Sequence, residues 1–428
     1  MSLDATQNKI VNRLQRSIAA VQDPDTQISV LVRYNSTQRV MRYTEYLPGV
    51  HFGRRYRLSP YSQVDATPAA IRKMAASPDI VCIYQDVPVR IFLDYSVPHI
   101  HTPRVWQCGV SGQGVKIAIV DTGIDQAHPD FQGQILNTYD NTGQSVQDGC
   151  GHGTHCASIA AGSGAASQGI YRGVAPGASL LIAKVLRNDG SGMMSDVMDG
   201  VEWAVDQGAQ IISLSLGEVG SSDGNDPLSE LCEAAIQRGV VVCVAAGNEG
   251  PMGYSIGSPA AAPHVITVGA ASDLDRIAEF SSRGPTADGR LKPDLVLPGV
   301  DIIAARAHGT SMGTPVNDYY TSASGTSMAT PHAAGISALL LQVKPQLAPE
   351  EIRSRLMSTA TNLGFCSNAQ GAGLADAWES IKDLIANPPP APEPEPNPQP
   401  TPEPPPSQIP LLGCLPGLAK LLVRWPRG

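Results

Sequence analysis

The sequence lacks any run of about 18 consecutive apolar residues, so it predicts no transmembrane segment. Charged residues make up only 16% of the chain and aromatic residues only 5%. Eight cysteines occur without C-x-x-C spacing, which argues against a zinc site and against a thioredoxin-like site. Lys and Arg total 30 against 39 Asp and Glu, a net charge of −9, so we expect no nucleic-acid partner.

The chain is long and rich in glycine and proline. The 428 residues amount to about three domains of ~150 residues, although one α/β domain can exceed ~250. The 42 glycines, 36 prolines and 42% hydrophobic residues indicate a large, loop-rich core and exclude disorder throughout. Residues 1–27 are polar and lack the apolar stretch of a secretory signal. As written, the chain is expected to be cytoplasmic; a removed export signal would leave an extracellular location open.

Residues 1–95 differ from the rest of the chain in charge. They carry 12 Lys and Arg against 8 Asp and Glu, net +4, whereas residues 96–428 carry 18 against 31, net −13. The asymmetry fits electrostatic docking between the two parts, and equally fits compositional scatter. Alternation over Ile28–Tyr34 predicts a strand, Thr67 and Pro68 begin a helix, and residues 80–84 form a second strand. Together they predict a small α+β domain.

Residues 96–386 show strands alternating with helices. The expected strands are apolar runs at residues 115–120, 180–185, 211–216 and 240–245. Such runs, rich in β-branched residues, are typical of parallel strands buried on both faces. Ser195 is expected to cap a helix that ends at Gly208. The fold class predicted for this region is therefore α/β, a parallel sheet flanked by helices.

The last part of the chain has a different composition. Thirteen prolines fall between residues 388 and 410, so residues 387–410 are expected to form an extended proline-rich linker. Residues 411–428 form an apolar and basic tail. The tail could be a surface-binding peptide or a weakly docked end, and the sequence favours the second.

Three short segments carry residues suited to nucleophilic catalysis. Asp121 begins DTGID at the end of a predicted strand, where α/β sheets build their sites. His152 lies between glycines in GHGTHCA, which is not the zinc motif H-E-x-x-H. Ser327, in SGTSMATPHAAG, begins an apolar helix whose N-terminus favours negative charge. Alone, each has a structural explanation: a turn residue, a packed histidine or an N-cap.

Together, these segments resemble the subtilisin-like serine proteases of peptidase family S8, in which Asp, His and Ser follow this chain order. The α/β-hydrolases have another order and a G-x-S-x-G elbow, which is missing at Ser327. The resemblance covers about residues 100–380 and includes features of intracellular-type alkaline serine proteases. It implies a subtilisin-like domain and a serine endopeptidase that works through an acyl-enzyme intermediate.

The resemblance also implies roles for single residues. Ser327 would be the nucleophile, His152 the general base, Asp121 the group that orients it, and Asn248 the oxyanion-hole side chain. The implied substrate-binding residues form two walls and a floor: Ser215, Leu216, Gly217, Ala245, Ala246, Gly247 and Gly257. None of these positions is charged, so we expect protein or peptide substrates, broad specificity and an apolar or aromatic P1 residue.

Residues 1–95 resemble the family's inhibitory propeptide, which would make the chain a self-processing zymogen with its own propeptide as partner. The segment's end is expected to occupy the cleft, with Tyr95 in the S1 pocket. No cofactor is expected for the chemistry. Structural calcium is possible because Asp130 matches a calcium-ligating carboxylate, but residues 162–173 lack the Asn-rich loop that supplies other ligands. Cys156 is expected beneath His152 as a buried thiol.

Two other classes of function were weighed. A binding module derived from an inactive protease would be expected to have lost a catalytic residue, and none is lost. A dinucleotide-binding enzyme is suggested by Gly109, Gly112 and Gly114, but these glycines precede their strand rather than follow it. No helix N-terminus would then receive a pyrophosphate, so the sequence favours the protease.

Overall fold

A computed structural model describes residues 9–10, 12–21, 23–35, 47–56, 60–86 and 95–385. The chain divides into two compact units, residues 1–93 and 94–428, and each is described by itself. The predicted linker at residues 387–410 and the tail at 411–428 lie outside the described residues.

The described residues of the first unit form a four-stranded antiparallel sheet and two helices. Its elements are α1 (Asn12–Ala20), β1 (Ile28–Tyr34), β2 (Val50–Arg55), β3 (Tyr61–Ala66), α2 (Pro68–Ala75) and β4 (Ile80–Gln85). The sheet order is β2-β3-β1-β4. The alternating burial of β1 confirms its predicted half-buried character, and the Thr67 side chain caps α2 by accepting from the Ala70 amide at 3.3 Å. These elements confirm an α+β architecture.

The second unit is built around a seven-stranded sheet with every neighbouring pair parallel. Its strands are β5 (Lys116–Asp121), β6 (Ile135–Asp140), β7 (Ser179–Lys184), β8 (Ile211–Leu214), β9 (Val241–Ala245), β10 (Ile266–Ala271) and β11 (Leu295–Pro298). They lie in the order β11-β10-β9-β8-β5-β7-β6. The four predicted strands correspond to β5, β7, β8 and β9.

Apolar side chains cover both faces of this sheet. Along β5, Ile117 and Ile119 belong to one buried cluster, whereas Ala118 and Val120 belong to another. Because successive side chains of a strand point to opposite faces, the two clusters lie on opposite faces of the sheet. The helices of this unit are α3 (Ser96–His99), α4 (Thr102–Gln107), α5 (His152–Ala161), α6 (Met194–Asp206), α7 (Pro227–Gln237), α8 (Thr326–Val343), α9 (Pro349–Ser358), α10 (Ser367–Gln370) and α11 (Ala377–Ile381). The predicted α/β architecture is confirmed.

Two features of this unit differ from the sequence predictions. Helix α6 begins at Met194, and the side chain of Asp196 accepts from the Met193 amide at 3.3 Å, so the prediction that Ser195 caps the helix is wrong. A small antiparallel sheet, in the order β12-β14-β13, was not predicted. Its strands are β12 (Ile302–Ala305), β13 (Thr314–Pro315) and β14 (Tyr320–Ala323). This sheet leads directly into α8, which carries Ser327.

No helix among the described residues is long and apolar enough to cross a membrane.

Candidate active site

The three predicted catalytic side chains lie where strands end and helices begin. Asp121 is the last residue of β5, His152 the first of α5, and Ser327 lies in the first turn of α8. Gly151, just before His152, has a φ of 101°, and a Cβ there would lie 2.8 Å from the Thr310 hydroxyl oxygen. Glycine therefore lets α5 begin at His152 without strain.

Asp121 and His152 form a close pair. His152 Nδ1 lies 2.7 Å from Asp121 Oδ1, which also accepts from the Thr122 amide at 2.7 Å. The Asp121 side chain is 1% exposed and that of His152 is 21% exposed. Burial alone would lower the pKa of His152, but the adjacent Asp121 carboxylate holds that pKa well above its ordinary value. With Nδ1 held by the carboxylate, Nε2 is the nitrogen that can exchange a proton.

A second buried carboxylate, Asp148, fixes the turn that carries His152. Its oxygens accept from the amides of Cys150, Gly151 and Thr154 at 2.7 to 3.0 Å. They also accept from the hydroxyls of Thr122 and Thr154, at 2.9 and 2.7 Å. Sequence reasoning missed this residue, although an aspartate four positions before His152 is the kind of residue that accepts from nearby amides. Asp148 is thus a positioning residue for the Asp121–His152 pair.

Ser327 and Asn248 line one cavity together with His152. The Ser327 hydroxyl donates to the Ser215 carbonyl at 3.0 Å, and no hydrogen bond joins it to His152 within the described residues. Catalytic hydrogen bonds often tighten only when substrate binds. Asn248 Oδ1 accepts from the amide and the hydroxyl of Thr326 at 3.0 and 3.1 Å. That arrangement makes Nδ2 the free donor of the side chain.

All seven predicted substrate-binding residues line one cavity of about 230 Å³, here called the Gly257 cavity; Asn248 and Ser327 line it too. A Cβ on Gly257 would collide with the Glu218 carbonyl, and one on Gly217 would lie 2.7 Å from the Ser258 carbonyl. The glycines are therefore required by the close approach of the wall at residues 215–218 to the floor at residues 257–258. Two exposed carboxylates, Glu218 and Glu249, also line the cavity, and the sequence reasoning missed both.

Two further cavities flank the site, and neither was predicted. A cavity of about 730 Å³, the Met193 cavity, is lined by His152, Ser215 and mainly apolar side chains: Leu186, Met193, Met194, Val197, Leu228 and Met312. A cavity of about 450 Å³, the Asp301 cavity, is lined by His152, Asn248 and Ser327 together with residues of the small antiparallel sheet. Residues of loops and hairpins line much of both cavities, and such residues show no periodic pattern in the sequence.

Cys156 lies beneath the pair, as predicted. Its sulfur is buried and lies 3.9 Å from His152 Nδ1. The thiol also donates to the Ser327 carbonyl at 3.4 Å. Burial raises the pKa of Cys156, so the thiol is neutral near pH 7. Within the described part of the chain, Asp121, His152 and Cys156 are the one group of potential metal ligands whose atoms lie within 4.8 Å of one another. The hydrogen bond between His152 Nδ1 and Asp121 Oδ1 occupies one potential ligand atom of each residue.

Asp130, the candidate calcium ligand, does not fit that role. Its carboxylate is completely buried and accepts from the Tyr320 hydroxyl at 2.9 and 3.1 Å and from the Ala166 amide at 2.9 Å. Calcium requires six to eight oxygen ligands, usually including several carboxylates. Here a neutral hydroxyl and an amide occupy the positions that a cation would take. The Tyr320 hydroxyl and the Ala166 amide therefore stabilise the Asp130 carboxylate without calcium.

Tyr95 does not lie where the sequence reasoning expected. Its hydroxyl donates to the Val300 carbonyl at 2.7 Å, and its ring packs against the larger buried cluster of the second unit. It lines none of the three cavities. The expectation that Tyr95 fills the S1 pocket is therefore wrong for this state of the chain, because Tyr95 is anchored as the start of α3.

Known proteins resemble this chain over most of its length. The Peptidase S8, Subtilase family, matches residues 112–373. Serine protease AprX of Bacillus subtilis (strain 168) is 41% identical over 345 residues, 74% of this chain and 78% of that protein. Subtilisin E of the same strain is 36% identical over 302 residues, which are 69% of this chain and 74% of that protein.

A solved structure shows the same likeness. The crystal structure of a cold adapted subtilisin-like serine proteinase covers 62% of this chain and 88% of its own, with 34% identity and a TM-score of 0.51. The family match takes in the segments around His152, Asn248 and Ser327, and Asp121 as well. The chain therefore belongs to the subtilase family and is a serine-type endopeptidase.

Proposed function

We propose that Ser327, His152, Asp121 and Asn248 carry out peptide-bond hydrolysis through an acyl-enzyme intermediate. The observation that carries this assignment is the 2.7 Å contact between His152 and the buried Asp121, since His152 also lines a cavity together with Ser327 and Asn248. A buried carboxylate on Nδ1 selects the tautomer whose Nε2 can accept a proton. All the reacting groups are side chains of this chain, so the proposed chemistry uses no cofactor.

The steps follow from these positions. Ser327 Oγ attacks the scissile carbonyl carbon and gives its proton to His152 Nε2, while Asp121 stabilises the resulting imidazolium. The oxyanion accepts hydrogen bonds from Asn248 Nδ2 and the Ser327 amide. Collapse breaks the C–N bond, and the leaving amine takes the proton from His152. Water then gives a proton to His152 and attacks the ester, and Ser327 recovers its hydrogen as the acid product leaves.

Pre-steady-state kinetics test the intermediate. With a p-nitrophenyl ester, the wild-type protein is expected to release one equivalent of nitrophenol in a burst, followed by slower turnover. Ser327→Ala is expected to show no burst and to lose about 10⁶-fold in kcat, since nucleophile and base act as a unit. A burst of unchanged size in Ser327→Ala would overturn the assignment.

We propose that the Gly257 cavity receives an apolar or aromatic P1 side chain. Apart from two exposed carboxylates, Glu218 and Glu249, its lining is neutral and consists mostly of small residues. Peptide p-nitroanilides with Phe, Leu, Lys or Glu at P1 separate the possibilities. We expect kcat/KM to be highest for Phe and Leu and lowest for Glu, which the two carboxylates repel. A preference for Glu would contradict the proposal.

We further propose that residues 1–95 are an inhibitory propeptide, so that the protein is a self-processing zymogen. The supporting observation is that the first unit is compact, with its own sheet and buried cluster. Its net charge of +4 against −13 for the remainder favours association that weakens with salt. The separately expressed segment, added in trans to mature enzyme, is expected to inhibit competitively until it is digested.

Progress curves of peptide hydrolysis, recorded at low and high salt, measure this inhibition. Inhibition at micromolar concentrations that weakens in high salt is the expected result. If no inhibition appears, the segment is a folded appendage; inhibition independent of salt would remove only the electrostatic part of the proposal.

A further inference from the structure

The Asp301 cavity shares Ser327 and Asn248 with the Gly257 cavity, but it extends along the small antiparallel sheet. Both cavities include Ser327 and Asn248, but only the Gly257 cavity includes the walls at residues 215–219 and 245–247. If the acyl part of the substrate occupies the Gly257 cavity, as proposed above, the leaving-group part extends across the Asp301 cavity. Residues after the scissile bond therefore meet the small antiparallel sheet and the turn at Asp301.

Asp301 is held in a fixed orientation in this cavity. Its φ is 54°, in the left-handed region that Asp and Asn tolerate better than most residues. The Asp301 amide donates to Ser324 Oγ at 2.8 Å, and that hydroxyl donates to Asp301 Oδ1 at 3.3 Å. Ser324 lies three residues before Ser327 on the same strand-to-helix connection. The nucleophile and the Asp301 carboxylate are thus tied to one short segment.

Charge in the cavity comes from a single acidic side chain. Among the described residues that line it, Asp301 is the only carboxylate, and the only other ionisable side chain is the base, His152. Asp301 is exposed and accepts one long hydrogen bond, from a neutral hydroxyl. It therefore retains capacity to accept from a cationic donor. The remaining lining residues are neutral.

We propose that Asp301 is a specificity-determining residue that favours Lys or Arg within the first two positions after the scissile bond. The carboxylate would pair with the ammonium or guanidinium group of the leaving peptide. An exposed ion pair contributes about 0.2–1 kcal/mol, so the preference for a basic over a neutral residue should be about 1.4- to 5-fold in kcat/KM. The proposal rests on the proposed function, since it assumes cleavage at Ser327.

Internally quenched peptides that differ only in the two residues after the scissile bond test this preference. We expect wild-type enzyme to cleave peptides with Lys or Arg there about 1.4 to 5 times faster than those with Ala, and those with Glu more slowly still. Asp301→Asn should reduce the Lys-to-Ala ratio to about one. Asparagine suits the same left-handed backbone, so this variant removes the charge while retaining the turn. Salt at 1 M should also reduce the wild-type ratio, because it shortens the screening length to about 3 Å.

Two controls separate this proposal from its premise. A peptide p-nitroanilide has no residues after the scissile bond, so its kcat/KM should be the same in wild type and Asp301→Asn. Asp273→Asn removes an exposed carboxylate that lines none of the three cavities and should leave the Lys-to-Ala ratio unchanged. Absence of p-nitroanilide hydrolysis in wild type would contradict the proposed function. Normal hydrolysis with a Lys-to-Ala ratio unaffected by Asp301→Asn would overturn the specificity proposal alone.

Discussion

The two flanks of Ser327 are built from different kinds of structure. The Gly257 cavity is formed by backbone at the ends of two neighbouring parallel strands, β8 and β9. It also includes Gly257, where a Cβ would collide with the Glu218 carbonyl. The Asp301 cavity is formed by an antiparallel sheet and the turn before it. The first flank therefore takes its shape from backbone and carries two exposed carboxylates, Glu218 and Glu249, whereas the second is shaped by short antiparallel strands and, among its described lining residues, carries one carboxylate, Asp301.

This difference assigns separate tasks to the flanks. Changes at the Asp121–His152 pair or at Asn248 should affect all substrates alike, because in the proposed mechanism these groups act on the reacting atoms. Changes at Gly257 should affect the acyl side only. Changes in the antiparallel sheet should affect stability or the leaving-group side only. The variants below test this division, from the largest expected effect to the smallest.

Asp121→Asn is expected to reduce kcat by about 10⁴-fold with every substrate, because the amide favours the wrong tautomer of His152. The base must be neutral to accept a proton, and the Asp121 carboxylate raises the pKa of His152 well above 6.5. In wild type, kcat/KM should thus rise with pH through a midpoint above 6.5. The pH profile of the variant, measured on a p-nitroanilide, should show a lower midpoint. An unchanged midpoint would mean that another group sets it.

Asn248→Ala is expected to lower kcat by about 10²–10³-fold while KM changes little, because an oxyanion donor acts mainly in the transition state. The loss should be equal for peptides that differ at P1 and for peptides that differ after the scissile bond. Steady-state kinetics on both series measure it. A rise in KM with constant kcat would identify Asn248 as a substrate-binding residue instead.

Gly257→Ala is expected to damage the acyl flank alone. The new Cβ would collide with the Glu218 carbonyl, so the walls must shift. Changes of this size in an apolar pocket alter discrimination by about 10-fold or more. We expect kcat/KM to fall most for Phe at P1, while the Lys-to-Ala ratio after the scissile bond stays at its wild-type value. An equal fall for every P1 residue would indicate general misfolding of the site.

Tyr320→Phe tests the antiparallel sheet and is expected to lower stability rather than activity. It removes the hydroxyl that Asp130 accepts from and leaves a buried carboxylate with fewer donors, a cost of about 1–3 kcal/mol. Thermal unfolding should show a melting temperature several degrees lower. Tyr319→Phe, at an exposed neighbouring position, is the matched control.

Calcium bound at Asp130 would make the melting temperature of the wild-type protein depend on calcium. If Asp130 held an ion, calcium would raise and EDTA would lower the melting temperature of wild type, and Asp130→Asn would abolish that response. We expect neither addition to act through Asp130.

The fold and most of the site were predictable from the sequence because their signals are local. Apolar β-branched runs marked four strands of the parallel sheet, and short glycine-rich segments around Asp121, His152 and Ser327 resembled a known family. The seven predicted substrate-binding residues, all of which line the Gly257 cavity, followed from that resemblance. Each of these signals lies within a few consecutive residues.

What was missed depends on contacts between distant segments. The Asp130–Tyr320 hydrogen bond joins residues 190 positions apart, and no spacing rule connects them. The small sheet pairs short strands, one of only two residues, which have no measurable periodicity. Tyr95 was misplaced because the order of the chain says nothing about which carbonyl its hydroxyl reaches. Asp301 was overlooked because a single aspartate in a turn is not distinctive without its neighbours.

The most direct measurement of the central assignment is mass spectrometry of the protein after reaction with a fluorophosphonate probe. The hydroxyl of Ser327 displaces fluoride from phosphorus, so the account predicts one adduct, on the peptide that contains Ser327. That adduct should be absent in Ser327→Ala and should form far more slowly in His152→Ala. An unlabelled Ser327 in a sample that still hydrolyses peptides, or an adduct that persists in Ser327→Ala, would contradict the account.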